Sequence, residues 1–228
     1  MEVEMINQQN KNPFKAILDE YSGHVLSGDK ISAIKLIMEI TKSNTIEVKD
    51  IYKYILQPFQ IELGRLWHEN NISVAQEHYG TAISQFAMST LYEKIFLTAK
   101  NNKVFLGTCV QGELHELGIR MVCDYMECSG WNTYYLGANT PNSAIIQMIH
   151  EKKPDIVCIS CTMPFNISEV KYLITDIKNS GIITPVIVGG YAFNMQKESW
   201  VNSGADGYSE SFEEALLLSE KLCIGGSL

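Results

Sequence analysis

Residues 103–118 read KVFLGTCVQGELHELG, and this stretch decides the fold. Lys103 to Cys109 is an apolar, strand-length run. A glycine-bearing turn follows, and a helical segment starts near Leu117. The same unit then repeats down the chain. Strand-like runs read TYYLG from Thr133, DIVCISC from Asp155, PVIVGG from Pro185 and DGYS from Asp206, with helical segments starting near Asn142, Asn166, Phe193 and Ser211. Five β-α units with strands apolar almost throughout describe a parallel sheet covered by helices on both faces. The expected class is α/β, a doubly wound five-stranded parallel sheet of order 2-1-3-4-5.

Upstream of Lys100-Asn101-Asn102 the periodicity is helical. Ile17, Leu18 and Tyr21, then Ile31, Ile34, Ile37 and Met38, recur at helical spacing. Gly28-Asp29 marks a turn. The next helix runs from about Val48 to Glu69, and Pro58 inside it should kink or split it. Asn70-Asn71 ends that helix, and Ser73-x-x-Gln76 is a capping box that opens the last one. Four or so antiparallel helices with short connections make a bundle. The expected organisation is a frayed polar terminus at 1–12, a helical domain at 13–100 and a flavodoxin-like domain at 103–225.

Composition narrows the function. The chain has 228 residues, 46% hydrophobic and 19% charged, as in an ordinary globular protein. A net charge of −8 without any basic run argues against direct nucleic-acid binding. No stretch approaches a membrane span, and the amino terminus lacks a signal core, so a cytoplasmic location is expected. The six cysteines (109, 123, 128, 158, 161 and 223) lie mostly in apolar segments and read as reduced, buried thiols. Cys158 and Cys161 sit in a strand-like run, where a zinc knuckle would be strained. Trp131, Trp200, Met121 and Met126 read as packing residues, and His24 and His150 as solvated helix histidines.

Ligands of doubly wound folds bind outside the carboxyl ends of the strands. Three signals fall there: Glu113-x-His115-x-x-Gly118 after the first strand, Ser160-Cys-Thr162 at the end of the third, and Gly189-Gly190 at the end of the fourth. A loop histidine can ligate a metal with its other nitrogen fixed by a carboxylate. Glu113 suits that role, and Ser160 could orient Glu113 in turn. Paired glycines let backbone approach a ligand closely. One histidine is a poor site for a free ion, so the metal would arrive with its coordination sphere mostly filled, as in a tetrapyrrole. The residues alone leave a second reading open, a loop histidine satisfied by hydrogen bonds.

The spacing resembles that of the cobalamin-binding domains of methionine synthases, mutases and corrinoid proteins. Their pattern is Asp-x-His-x-x-Gly, about forty residues, Ser-x-Leu, twenty-six to twenty-eight residues, then Gly-Gly. Here 41 residues separate Gly118 from Ser160, and 26 separate Thr162 from Gly189. Glu113 stands in place of the usual Asp and Thr162 in place of the usual Leu. The resemblance implies that His115 displaces the benzimidazole tail as lower axial cobalt ligand, base-off and His-on. It further implies that the tail runs past Ser160, Thr162, Gly189 and Gly190, with Thr162 adding a hydrogen bond.

The helical domain resembles the cap over the upper corrin face. Trp67-His68 closes one helix and Glu77-His78 opens the next, so both pairs lie at one end of the bundle; a core Trp at a solvated helix junction is the bland alternative. Trp, nine residues, Glu-His is similar to the signature of adenosylcobalamin-dependent photoreceptors. That resemblance implies that Trp67, Glu77 and His78 line the adenosyl pocket. Light then cleaves the cobalt–carbon bond, His68 takes the vacated position, and assembly or partner binding changes. The chain is thus read as a regulatory, non-enzymatic light sensor. The light-dependent repressors carry a DNA-binding domain before the bundle, and only about a dozen residues precede the first helix here, so output is expected through self-association or a protein partner. The alternatives are a corrinoid methyl carrier of a methyltransferase system and a cobalamin storage or delivery protein; a mutase is disfavoured because no substrate barrel is present.

Overall fold

The computed structural model describes residues 12–225. They fall into two compact units, one ending at Leu97 and the other beginning at Thr98. The fraying expected for residues 1–12 lies, apart from Asn12, outside the described residues.

In the first unit the helices are α1 (Lys15–Leu26), α2 (Lys30–Ser43), α3 (Val48–Ile51), α4 (Gln57–His68) and α5 (Val74–Ile95). Between α3 and α4 the chain stays helical, but Tyr52–Leu56 winds as a π-helical turn. Gln57 N–H reaches back to the Tyr52 carbonyl. Pro58, which offers no N–H, is therefore accommodated by one wide turn in a continuous rod, not by a split. Asp29 caps α2 by accepting from Ser32 N–H. α4 ends where Asn70 adopts a left-handed conformation and Asn71 N–H returns to the Leu66 carbonyl at 2.8 Å. The capping box then starts α5: Gln76 N–H donates to Ser73 Oγ and Ser73 N–H to Gln76 Oε1.

The bundle core holds Tyr21, Ile37, Ile55, Phe59, Leu63, Met88 and Leu91, with Tyr21 edge-on to Phe59 at 5.2 Å. One polar thread crosses it. Ser84 Oγ lies 3.1 Å from Tyr21 Oη and accepts from Gln60 Nε2 at 2.7 Å. Burial pushes the Tyr21 phenol up to about 12, against a pull downward from Ser84.

The second unit is a five-stranded parallel sheet of order β2-β1-β3-β4-β5, formed by β1 (Val104–Cys109), β2 (Asn132–Tyr135), β3 (Ile156–Ser160), β4 (Val186–Gly189) and β5 (Gly207–Ser209). Every residue of β3 and β4 is buried, which explains their unbroken apolar reading. The helices are α6 (Leu117–Glu127), α7 (Asn142–Lys152), α8 (Ile167–Asn179), α9 (Tyr191–Met195), α10 (Ser199–Ser203) and α11 (Phe212–Gly225). α6 and α11 cover one face, against Phe105, Cys109, Ile156, Cys158 and Ile187. α7 to α10 cover the other, against Leu106, Val157, Ile159, Val186 and Val188. The second unit is thus a flavodoxin-like sheet that follows the helical unit along the chain.

Local differences from the sequence reading have physical causes. The helix expected near Phe193 is two short pieces, because the chain turns where Ser199 N–H bonds the Gln196 carbonyl. A 3-10 turn at Pro164–Asn166 precedes α8. All six cysteines are free, but Cys128 and Cys223 are only half-buried, a correction to their reading as buried thiols. Trp131, Met121 and Met126 lie in the core and Trp200 packs half-buried at its edge. Among the described residues no helix is long and apolar enough to cross a membrane.

Candidate cobalamin site

The loop after β1 carries the Glu113 motif, and neighbouring loops pin it in place. Gly112 N–H donates to Asn139 Oδ1 at 2.9 Å, and Asn139 N–H donates to the Glu113 carbonyl at 2.9 Å. On α6's threshold, Glu116 Oε2 accepts from Ala138 N–H at 2.8 Å. The β1 and β2 loops are thereby tied together at the carboxyl end of the sheet.

Glu113 is fully buried and is the hub of the loop. Its Oε1 accepts from His115 N–H at 3.0 Å and from His115 Nδ1 at 2.6 Å. Its Oε2 accepts from Thr162 N–H at 3.1 Å, Met163 N–H at 2.9 Å and Asn166 Nδ2 at 3.1 Å. Burial by itself would raise this carboxyl's pKa. The bonds from the His115 ring, Met163 N–H, His115 N–H and Asn166 outweigh it and hold the group down at about 2. The carboxylate in turn fixes the ring tautomer: Nδ1 carries the proton, so Nε2 carries the lone pair a metal would meet. The His115 side chain is 53% exposed, a buried anchor with an exposed head.

The expectation that Ser160 orients Glu113 is corrected here. That task falls to the two backbone N–H groups after β3 and to Asn166, which no motif had singled out. Asn166 is buried and stands 53 positions from Glu113, so no local spacing betrays it. The available signal was the replacement of Asp by Glu: a carboxylate on a longer arm reaches further and needs donors at its new position.

The remaining motif residues divide by what they touch. Thr162 contributes its backbone to Glu113. Gly190, at φ 99° and ψ 171°, is in backbone space open essentially to glycine. A Cβ there would lie 2.5 Å from the Cys161 carbonyl oxygen. A Cβ on Gly189 would lie 2.9 Å from the Ser209 carbonyl oxygen. The chain's own packing therefore already demands both glycines. Gly118 differs: a Cβ there would meet only Ser160 Oγ, at 3.9 Å, so its bareness leaves open room beside that hydroxyl.

In the helical unit, Trp67 and His68 close α4, and Glu77 and His78 lie in the first turns of α5. Trp67 is 46% exposed and is not a core residue. The His78 side chain is 76% exposed, with Nε2 3.6 Å from Glu77 Oε2. Glu77 is tethered inward: Thr81 Oγ1 lies 2.9 Å from Glu77 Oε1 and 3.1 Å from Gln60 Oε1. His68 is exposed.

The depressed Glu113 pKa gives a pH prediction. Its ionised form contributes stability that is fully present above the ordinary carboxyl value of 4.5 and is lost as pH falls toward about 2. Urea unfolding of the cofactor-free chain should show Glu113→Gln less stable than the parent at neutral pH. That gap should close as pH falls through this window; a constant gap would contradict the hydrogen-bonding account.

Among the described residues no three His, Cys, Asp or Glu side chains gather to hold a bare metal ion. His115 therefore suits a metal that brings its own equatorial ligands. Comparisons agree. The B12 binding domain family model matches residues 103–217, and a second model of the same description matches residues 17–92. The HTH-type transcriptional repressor CarA of Myxococcus xanthus is 26% identical over 147 residues, 64% of this chain and 50% of that protein. The dimethylamine corrinoid protein of Methanosarcina barkeri is 26% identical over 122 residues, 52% of this chain and 56% of that protein. The chain thus spans about half the length of these curated relatives. The structure of the Methanosarcina barkeri monomethylamine corrinoid protein superposes with a TM-score of 0.77 at 18% identity, covering 91% of this chain and 99% of that one, a likeness of fold. With the family model matching half of its residues, the chain belongs to the B12 binding domain family, and its cofactor is cobalamin.

Proposed function

We propose that this chain is a corrinoid carrier protein of a methyl-transfer system, holding cobalamin through His115. The observation that carries this reading is the Glu113–His115 pair: a buried carboxylate with five hydrogen bonds presenting an exposed imidazole at the carboxyl end of β1. The similarity to a dimethylamine corrinoid protein supports the carrier role. The residues fit the cofactor. Nε2 of His115 is the lone-pair nitrogen, and the bare Gly118 leaves room beside Ser160 for part of a bulky group. Cobalamin would supply a cobalt centre that accepts and releases an alkyl group. Glu113 fixes the orientation and tautomer of the imidazole and raises its basicity as a ligand. Thr162, Met163 and Asn166 keep Glu113 ionised by donating to it. Ser160, Thr162, Gly189 and Gly190 line the path of the nucleotide tail in this reading.

A second reading, an adenosylcobalamin-dependent light sensor, is favoured by one specific observation. Trp67 and His68 stand exposed at the end of the helical unit where α5 begins with Glu77 and His78, and a light-independent carrier has no need of that set. The similarity to CarA points the same way. Here Trp67, Glu77 and His78 would meet the upper ligand and His68 would be a reserve imidazole, with output through self-association or a protein partner.

One experiment separates the two. The full chain is loaded in the dark with adenosylcobalamin or methylcobalamin, then illuminated, and spectra are recorded during size-exclusion chromatography. The carrier reading expects the same elution volume in dark and light. A light-dependent change of assembly with adenosylcobalamin, abolished by His68→Ala, would replace it with the sensor.

A further inference from the structure

On the α6/α11 side of the sheet, the carboxyl ends of three strands form a row of small residues. Ser160 is in register with Gly189, and Gly189 with Ser209. Side chains alternate along strands. Two residues before Ser160 and Gly189 stand Cys158 and Ile187, which pack on the α6/α11 face. Two residues before Ser209 stands Gly207, where a Cβ would run into Leu218 of α11 at 2.6 Å. All three positions therefore face the layer beneath α6 and α11.

Ser160 and Ser209 are each only 7% exposed, yet neither hydroxyl makes a hydrogen bond among the described residues. Among the described residues the one sealed polar side-chain atom without a partner is Trp131 Nε1, so both serine hydroxyls still open onto a space. Its walls are bare: a Cβ on Gly189 would stand 3.5 Å from Ser209 Oγ, and one on Gly118 3.9 Å from Ser160 Oγ. Near-buried hydroxyls left unpaired cost free energy, and a ligand atom can recover it.

We propose that Ser209 is a specificity-determining residue of the cobalamin site: with Ser160 on the other side of bare Gly189, its hydroxyl binds polar atoms of the cofactor's nucleotide tail. This rests on the reading of His115 and Ser160 given above. Charge sets the direction. Beyond Ser209 the carboxylate of Glu214 accepts from Glu210 N–H, so the tail's phosphodiester is disfavoured there and its uncharged base end is what reaches Ser209. Ser209 belongs to none of the three motif signals; its register opposite Gly189 identifies it.

The test uses the full chain and two probes, hydroxocobalamin, which carries the tail, and cobinamide, which lacks it. Dissociation constants are read by absorbance titration. Ser209→Val should weaken hydroxocobalamin binding by about tenfold or more, the worth of one buried hydrogen bond plus crowding, and leave cobinamide binding within about twofold. If Ser209→Val does not fold, as judged by its thermal unfolding without cofactor, Ser209→Ala carries the test with a selective loss of about threefold. An unchanged ratio of the two dissociation constants, or an equal loss with both probes, overturns the role of Ser209. Failure of the underlying reading looks different: the unaltered chain would then bind both probes alike and be indifferent to His115→Ala.

Discussion

His115→Ala is expected to leave a folded chain that holds cobalamin at least ~100-fold more weakly and never in the His-on form. The size follows from position. Removing a group that merely orients a metal ligand typically costs about 10–100-fold in affinity, and His115 is the proposed ligand itself. The fold should survive, because Glu113 keeps its bonds from Thr162, Met163 and Asn166, and the backbone N–H at position 115 still donates to it. The loss of stability without cofactor should stay near ~1 kcal/mol, the net worth of one hydrogen bond. Titration with hydroxocobalamin, followed through the absorption bands that report the lower ligand, measures both effects. Unaltered affinity and spectrum would show that the Glu113–His115 pair is structural, the bland reading the isolated motif always allowed. Adding free imidazole gives a further check: it should restore part of the spectral change in the variant and none in the unaltered chain.

The strength of that expectation reflects how unevenly the sequence speaks. The parallel sheet covered on both faces was legible because β3 and β4, buried on every residue, read as unbroken apolar runs. Ser73-x-x-Gln76 was legible because a capping box is a local device, complete within four residues. Other features depend on partners distant in the chain. The π-helical turn Tyr52–Leu56 leaves no mark beyond Pro58, whose missing N–H announces a disturbance without fixing its form. α9 is tied to β5 by Tyr208 donating to Asn194 Oδ1, a contact that only the folded sheet brings about. The same holds at the site. His115 and Glu113 are two residues apart and could be paired on paper; Asn166 and Ser209 could not. Residues that touch by sequence proximity are readable, and those that meet through strand register need the fold.

Gly190 and Gly118 sharpen this point, since they belong to different motifs of the same site and should respond oppositely to the same substitution. Gly190→Ala is expected to destabilise the cofactor-free chain by ~3 kcal/mol or more, or to prevent folding. Its φ of 99° lies where only glycine rests comfortably, and the added Cβ would press within 2.5 Å of the Cys161 carbonyl oxygen. That oxygen cannot retreat, because it accepts from Ala192 N–H, while Cys161 N–H donates to the Gly189 carbonyl. The clash is thus with a backbone held on both sides, in the β3–β4 joint that also presents Thr162 and Met163 to Glu113. Gly118→Ala should do the reverse. The residue lies in α6, where alanine is favoured over glycine by up to ~1 kcal/mol, and its Cβ would meet only Ser160 Oγ at an ordinary 3.9 Å. Stability without cofactor should hold or rise. Cobalamin affinity should fall, because the new methyl occupies the room beside Ser160. Urea unfolding of the two cofactor-free variants, paired with hydroxocobalamin titration of Gly118→Ala, reads both outcomes. A Gly118→Ala chain that binds cobalamin as tightly as its parent would move the tail's path away from Ser160. A Gly190→Ala chain of unaltered stability would show that the β3–β4 joint yields where its hydrogen bonds say it cannot.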